Sequence, residues 1–126
     1  MDKKRKEKER LWRTSKYEVL AHSESTYRFI QQRVNEASYD EVARWIDEAK
    51  RIEPTTGAVT NAYEHMWGYF KKKATTEERR IVFEQLHRFQ HGELVEHDLW
   101  KTLYELAERY EETYLLQSTL LVPFKR

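Results

Sequence analysis

Asn61, His65, Gly68 and Lys72 recur at spacings of four, three and four within the stretch NAYEHMWGYFKKK, residues 61–73. On a helix turning about 100° per residue they share one narrow sector, while Val59, Ala62, Tyr63, Met66 and Phe70 cover the opposite side. An amide, an imidazole and an ammonium group on one polar ledge, with Tyr69 beside them and Lys71 and Lys73 flanking, can grip a polar or anionic ligand. Gly68 lies in that stripe. Glycine in a helix interior costs roughly 0.5–1 kcal/mol against alanine, so its presence calls for a close approach to the backbone. Two occupants fit. One is a second helix crossing at Gly68, with Asn61 and His65 hydrogen-bonded in the interface; the other is a ligand or nucleic-acid backbone on the ledge.

A second group of reactive side chains lies in KYEVLAHS, residues 16–23. Lys16 and Ser23 fall within an apolar stripe formed with Trp12, Val19 and Leu20. The lysine therefore either snorkels past Trp12 into water or faces a shared polar pocket. His22 follows Glu18 by one turn, where a carboxylate can orient the imidazole or raise its basicity. Neither group amounts to a catalytic constellation. The sequence has no HExxH, no paired ExxH pattern and no recognisable Ser–His–Asp arrangement. His87 and His91, with His97 following, are spaced for zinc, but Leu86 and Phe89 face inward and turn these histidines toward water. No cofactor and no metal ligand set is expected.

Composition bounds these readings. The chain contains no cysteine, so by itself it can supply no thiol nucleophile, disulfide, iron–sulfur cluster or cysteine zinc site. Its 3 glycines make no phosphate-cradling loop. No apolar run reaches the roughly 18–20 residues of a membrane span, and the N-terminus is charged, which predicts a cytoplasmic protein. Residues 1–16 carry +5 of a whole-chain net charge of +1, leaving the remainder at −4. This basic segment suits either a nucleic-acid contact or a frayed, solubilising arm over residues 1–8, ahead of a single domain over 9–126.

The elements that must carry these groups all read as helices. Trp12, Val19, Leu20, Tyr27, Ile30 and Val34 give one helical stripe across residues 9–35. Ser38 with Glu41, and Thr75 with Glu78, have capping-box spacing and open two further helices. Pro54 to Gly57 break the chain before the Asn61 helix, Gly92 is placed to cap the helix that precedes it, and a last helix carries Leu99, Leu103, Leu106 and Tyr110. The expectation is an all-α, compact bundle of about five helices.

KYEVLAHS, NAYEHMWGYFKK and YLLQSTLLVPF (114–124) resemble the three characteristic blocks of the YbgA-like domain of unknown function. The resemblance spans nearly the whole chain. It departs from the family pattern at Phe124 and Lys125, where a tyrosine and a second proline are usual. It implies a domain found alone and also fused to a cysteine-rich, iron–sulfur desulfidase of the thiouracil type, in which the YbgA-like part is thought to bind tRNA. On that implication the protein is a non-catalytic RNA-binding module linked to tRNA thiouridine desulfuration or related tRNA modification. The matching residues Lys16, His22, Asn61, His65, Tyr69, Lys71, Lys72 and Gln117 become candidates for RNA contact, with Gly68 giving access to the backbone. Two other readings stand beside it: an adaptor for a separately encoded desulfidase or other partner, and, ranked below both, a metal-dependent hydrolase.

Overall fold

The computed structural model describes residues 2–125, and among them there is no strand. Seven helices run in order: α1 (Asp2–His22), α2 (Glu24–Arg33), α3 (Tyr39–Lys50), α4 (Thr56–Trp67), α5 (Thr76–Gln90), α6 (Glu96–Arg109) and α7 (Thr113–Leu116), followed by a 3-10 turn at Val122–Phe124. The all-helical expectation holds, but the count of about five does not. The stripe over residues 9–35 is two helices, because Ser23 adopts an extended φ of −163° and its hydroxyl accepts from the Thr26 N–H as the N-cap of α2. The polar Ser23 in an apolar stripe is thereby explained. The apolar C-terminal block adds the single turn α7.

Local signals set most boundaries. Ser38–Glu41 and Thr75–Glu78 both form complete capping boxes. Gly92 takes φ +74°, and the following Glu93 N–H reaches back to the Arg88 carbonyl at 2.8 Å, closing α5 through a left-handed residue. Thr55 caps α4 by accepting from the Ala58 N–H at 3.0 Å.

α1 is the central element, packing on α2, α3 and α4, while α6 contacts α4, α5 and α7. Its two buried faces feed two cores. Trp12 and Val19 meet Ile30, Val34, Val42, Ile46 and Ala49 on one side. Tyr17, Leu20 and Ala21 join Val59, Tyr63, Met66, Phe70 and the α5–α7 side chains on the other. Each large side chain buried this way is worth roughly 1.5–3 kcal/mol, which is what holds helices too short to persist alone. Residues 2–8, where a basic arm is expected, run as the opening turns of α1. Lys8 is buried there, donating from Nζ to the carbonyls of Asn35 at 3.2 Å and Ala37 at 2.8 Å. At the other end, the Thr119 N–H donates to the Thr14 carbonyl at 2.9 Å and ties the C-terminal block to α1. Among the described residues no helix is long and apolar enough to cross a membrane.

Candidate functional site

Gly68 is the first residue to depart from expectation. It is not inside α4 but caps its C-terminus, with φ −52° and ψ −26°. The chain then tightens into turns: the N–H groups of Tyr69, Phe70 and Lys73 donate to the carbonyls of Met66, Trp67 and Phe70. The 100° register therefore stops at Gly68, and Lys71 to Lys73 lie on these turns rather than on the helical ledge. Among the described residues no other element crosses Gly68. It is exposed, and a Cβ there would meet only the carbonyls of His65 at 3.1 Å and Glu64 at 3.8 Å. The crossing-helix account of this glycine is thus excluded, and its φ is one that any residue adopts.

The ledge residues are open. His65, Lys71 and Lys72 are exposed, whereas Asn61 is half-buried and donates from Nδ2 to Glu24 Oε2 at 3.3 Å, across to the start of α2. Lys73 pairs with Glu112 at 3.8 Å. The turn itself is pinned by Arg79, whose guanidinium donates to the Lys71 carbonyl at 2.8 Å.

Tyr69 packs into a cluster of side chains that lie far apart in the chain. Its hydroxyl lies 2.8 Å from that of Tyr17 on α1, the two rings meet edge to face, and its ring stacks on Tyr114 of α7 at 5.9 Å and 14°. The Lys16 ammonium sits 5.4 Å from the ring centroids of both Tyr17 and Tyr114. Burial pulls the Lys16 pKa down, but hydrogen bonding to Tyr114 and the surrounding tyrosine oxygens outweigh it and leave the net shift upward, so Lys16 stays charged. Burial, then the Tyr69 hydrogen bond, push the Tyr17 phenol well above its usual range and keep it neutral. Lys16, half-buried, lies against these tyrosines, and all three sequence blocks contribute: Lys16 and Tyr17 from the first, Tyr69 from the second, Tyr114 from the third.

His22 and Gln117 do not join this group. His22 Nδ1 is 2.7 Å from the Ile52 carbonyl, so that nitrogen carries the proton and donates. Glu18, expected to orient the ring, instead pairs with Lys50 at 3.8 Å. Burial raises the pKa of Glu96, which the His22 charge opposes and the Glu18 charge reinforces. Gln117 lines a separate groove with Tyr104, Glu108 and Lys125. The zinc spacing is not realised either. His91 Nδ1 turns back to the His87 carbonyl at 2.8 Å, and His97 packs on Phe124 with ring centroids 4.8 Å apart. Among the described residues no group of three metal-capable side chains converges.

Tyr17 and Tyr114 are the site residues that spacing did not reveal. Tyr17 adjoins Lys16 and Tyr114 opens the block that holds Gln117, yet a tyrosine at helical spacing reads as core, and only the packing of α1 against α7 brings the two rings to one lysine.

A family model described as a protein of unknown function (DUF1722) matches residues 16–125, a span containing all three blocks. Neither the curated proteins nor the solved structures contain a match.

Proposed function

Because the chain belongs to the DUF1722, or YbgA-like, family of proteins of unknown function, we propose a function from the site itself: a non-catalytic RNA-binding module, with tRNA as the RNA. One observation carries this reading. His65, Gly68, Lys71 and Lys72 are exposed, no other described element lies against Gly68, and Tyr69 between them joins a charged lysine framed by tyrosines. The parts have matching tasks. Lys16, Lys71 and Lys72 neutralise phosphates, His65 and the tyrosine edges offer surfaces for unstacked bases, and the missing Cβ at Gly68 lets a sugar–phosphate backbone approach. A body at −4 beyond residue 16 favours a limited footprint over coating any nucleic acid.

The family resemblance supports placing this binding in tRNA thiouridine desulfuration or related modification, and the cytoplasm is the setting proposed for it. With no cysteine of its own, the module would present tRNA to a separately encoded iron–sulfur desulfidase. The test is fluorescence anisotropy of labelled bulk tRNA at low and moderate salt, with the intact protein and a His65→Ala/Lys72→Ala variant checked for folding by circular dichroism. Salt-sensitive binding lost in the folded variant supports the module. No binding by the intact protein at low salt removes it and turns attention to an adaptor role, where the groove between Phe29, Trp45 and Ile52 is the surface to examine.

A further inference from the structure

The Gln117 groove lies outside the lysine–tyrosine cluster, and its chemistry is different. It encloses about 360 Å³, near the lower end of the roughly 300–1,000 Å³ typical of ligand pockets. Its walls are Tyr104 and Glu108 of α6, Thr113 and Leu116 of α7, and the flanking Gln117 and Lys125. Tyr104 is buried and its hydroxyl donates to Glu108 Oε2 at 2.9 Å, which fixes one carboxylate oxygen and leaves Oε1 to accept from a ligand. Between α6 and α7 the chain turns at Glu111, which holds φ +54°. This left-handed residue lets the single turn of α7 fold back over the end of α6.

We infer that this groove takes one unstacked nucleobase of a bound ribonucleotide, an inference that rests on the RNA-binding reading and extends it to a base-reading pocket. Leu116 offers apolar surface to one face of a flat heterocycle, and the largely buried Tyr104 borders it. The Gln117 amide presents a donor and an acceptor side by side, which pairs with the donor–acceptor edge of a base. Glu108 can only accept, so it selects for ring or exocyclic N–H groups and repels a phosphate. Lys125 supplies the positive charge at which the attached phosphate can rest instead. The placement on α7 links the two regions: Tyr114 stacks on Tyr69 beside Lys16, while Thr113 and Gln117 of the same short segment line the groove. A strand crossing α7 meets both.

The test is amide NMR of the intact protein titrated to millimolar concentration with each common ribonucleoside 5′-monophosphate, beside bulk tRNA anisotropy on the same samples. Saturable shifts of the Gln117 side-chain amide and of backbone amides 113–117 with at least one nucleotide are expected. Gln117→Ala should weaken that binding at least tenfold, and Gln117→Glu, which keeps the size but loses the donor, should do the same. Shifts that persist unchanged in both variants, or no shift with any nucleotide, overturn the pocket. The two readings fail separately: tRNA bound with no nucleotide effect at Gln117 removes only the pocket, and nucleotide shifts without tRNA binding remove only the tRNA reading.

Discussion

Replacing Tyr69 by phenylalanine removes one hydroxyl from the Tyr17–Tyr69 pair, and its consequence can be worked from the geometry. The two oxygens are 2.8 Å apart and Tyr17 is 7 % exposed. In Tyr69→Phe the Tyr17 hydroxyl is left in a nearly dry site without a partner, a loss of about 1–2 kcal/mol. Tyr17→Phe should cost less, about 0.5–1 kcal/mol, because the half-exposed Tyr69 hydroxyl can turn to water. The double variant removes both polar groups together and should cost no more than about 0.5 kcal/mol, giving a coupling of about 1 kcal/mol or more. At about 2.1 cal/mol/K per residue, 1 kcal/mol moves Tm of a chain this size by about 4 °C. Thermal unfolding followed by circular dichroism should therefore show Tyr69→Phe lowered by about 4–8 °C and the double variant by about 2 °C or less. Additive losses, with a coupling below about 0.3 kcal/mol, would refute the claim that this hydroxyl pair joins α1 to the end of α4.

Other outcomes follow from groups away from the cluster. Glu78 accepts from the Tyr110 hydroxyl, the Thr75 N–H and Arg109, and these hold its carboxyl down to about 2. Its unfolded value is about 4.3, so this stabilisation is complete above about pH 5 and fades as pH falls toward about 2. Because Arg109 is 60 % exposed, screening limits the contribution to about 1–2 kcal/mol. Glu78→Gln should accordingly lower Tm at pH 7 and converge on the wild-type value near pH 2; an equal gap at both pH values contradicts the charge argument. Tyr63 is fully buried and its hydroxyl has no hydrogen-bond partner among the described residues, while burial alone raises its pKa. Tyr63→Phe should be neutral or stabilise by up to about 1 kcal/mol in denaturant unfolding, and a loss above about 1 kcal/mol would mean that the hydroxyl has a partner such as an internal water.

Helix type and most helix ends were legible because they depend on neighbours in sequence. The Ser38 and Thr75 boxes and the Gly92 cap are local chemistry, and each formed as its spacing indicates. Ser23 was the local signal that misled: in a continuous apolar stripe it looked like a polar intruder, whereas its hydroxyl opens a new helix. The Asn61–Lys72 ledge was legible only as far as the helix lasts, since tightening after Trp67 changes the rotation per residue and carries the lysines off the ledge. The lysine–tyrosine cluster was hidden for a different reason. Lys16, Tyr69 and Tyr114 are far apart in the chain, and their meeting depends on how α1, α4 and α7 pack, which no local pattern encodes.

The central claim, that the exposed lysines beside the Gly68 turn contact RNA phosphates, is tested most directly by the salt dependence of tRNA binding. The logarithm of the association constant would be measured against the logarithm of salt concentration for the intact protein and for Lys71→Ala/Lys72→Ala. Each phosphate contact contributes a slope of about −0.7 to −0.9, so losing two should make the slope shallower by about 1.4–1.8. An unchanged slope in the folded double variant, or no tRNA binding by the intact protein at low salt, would contradict the account.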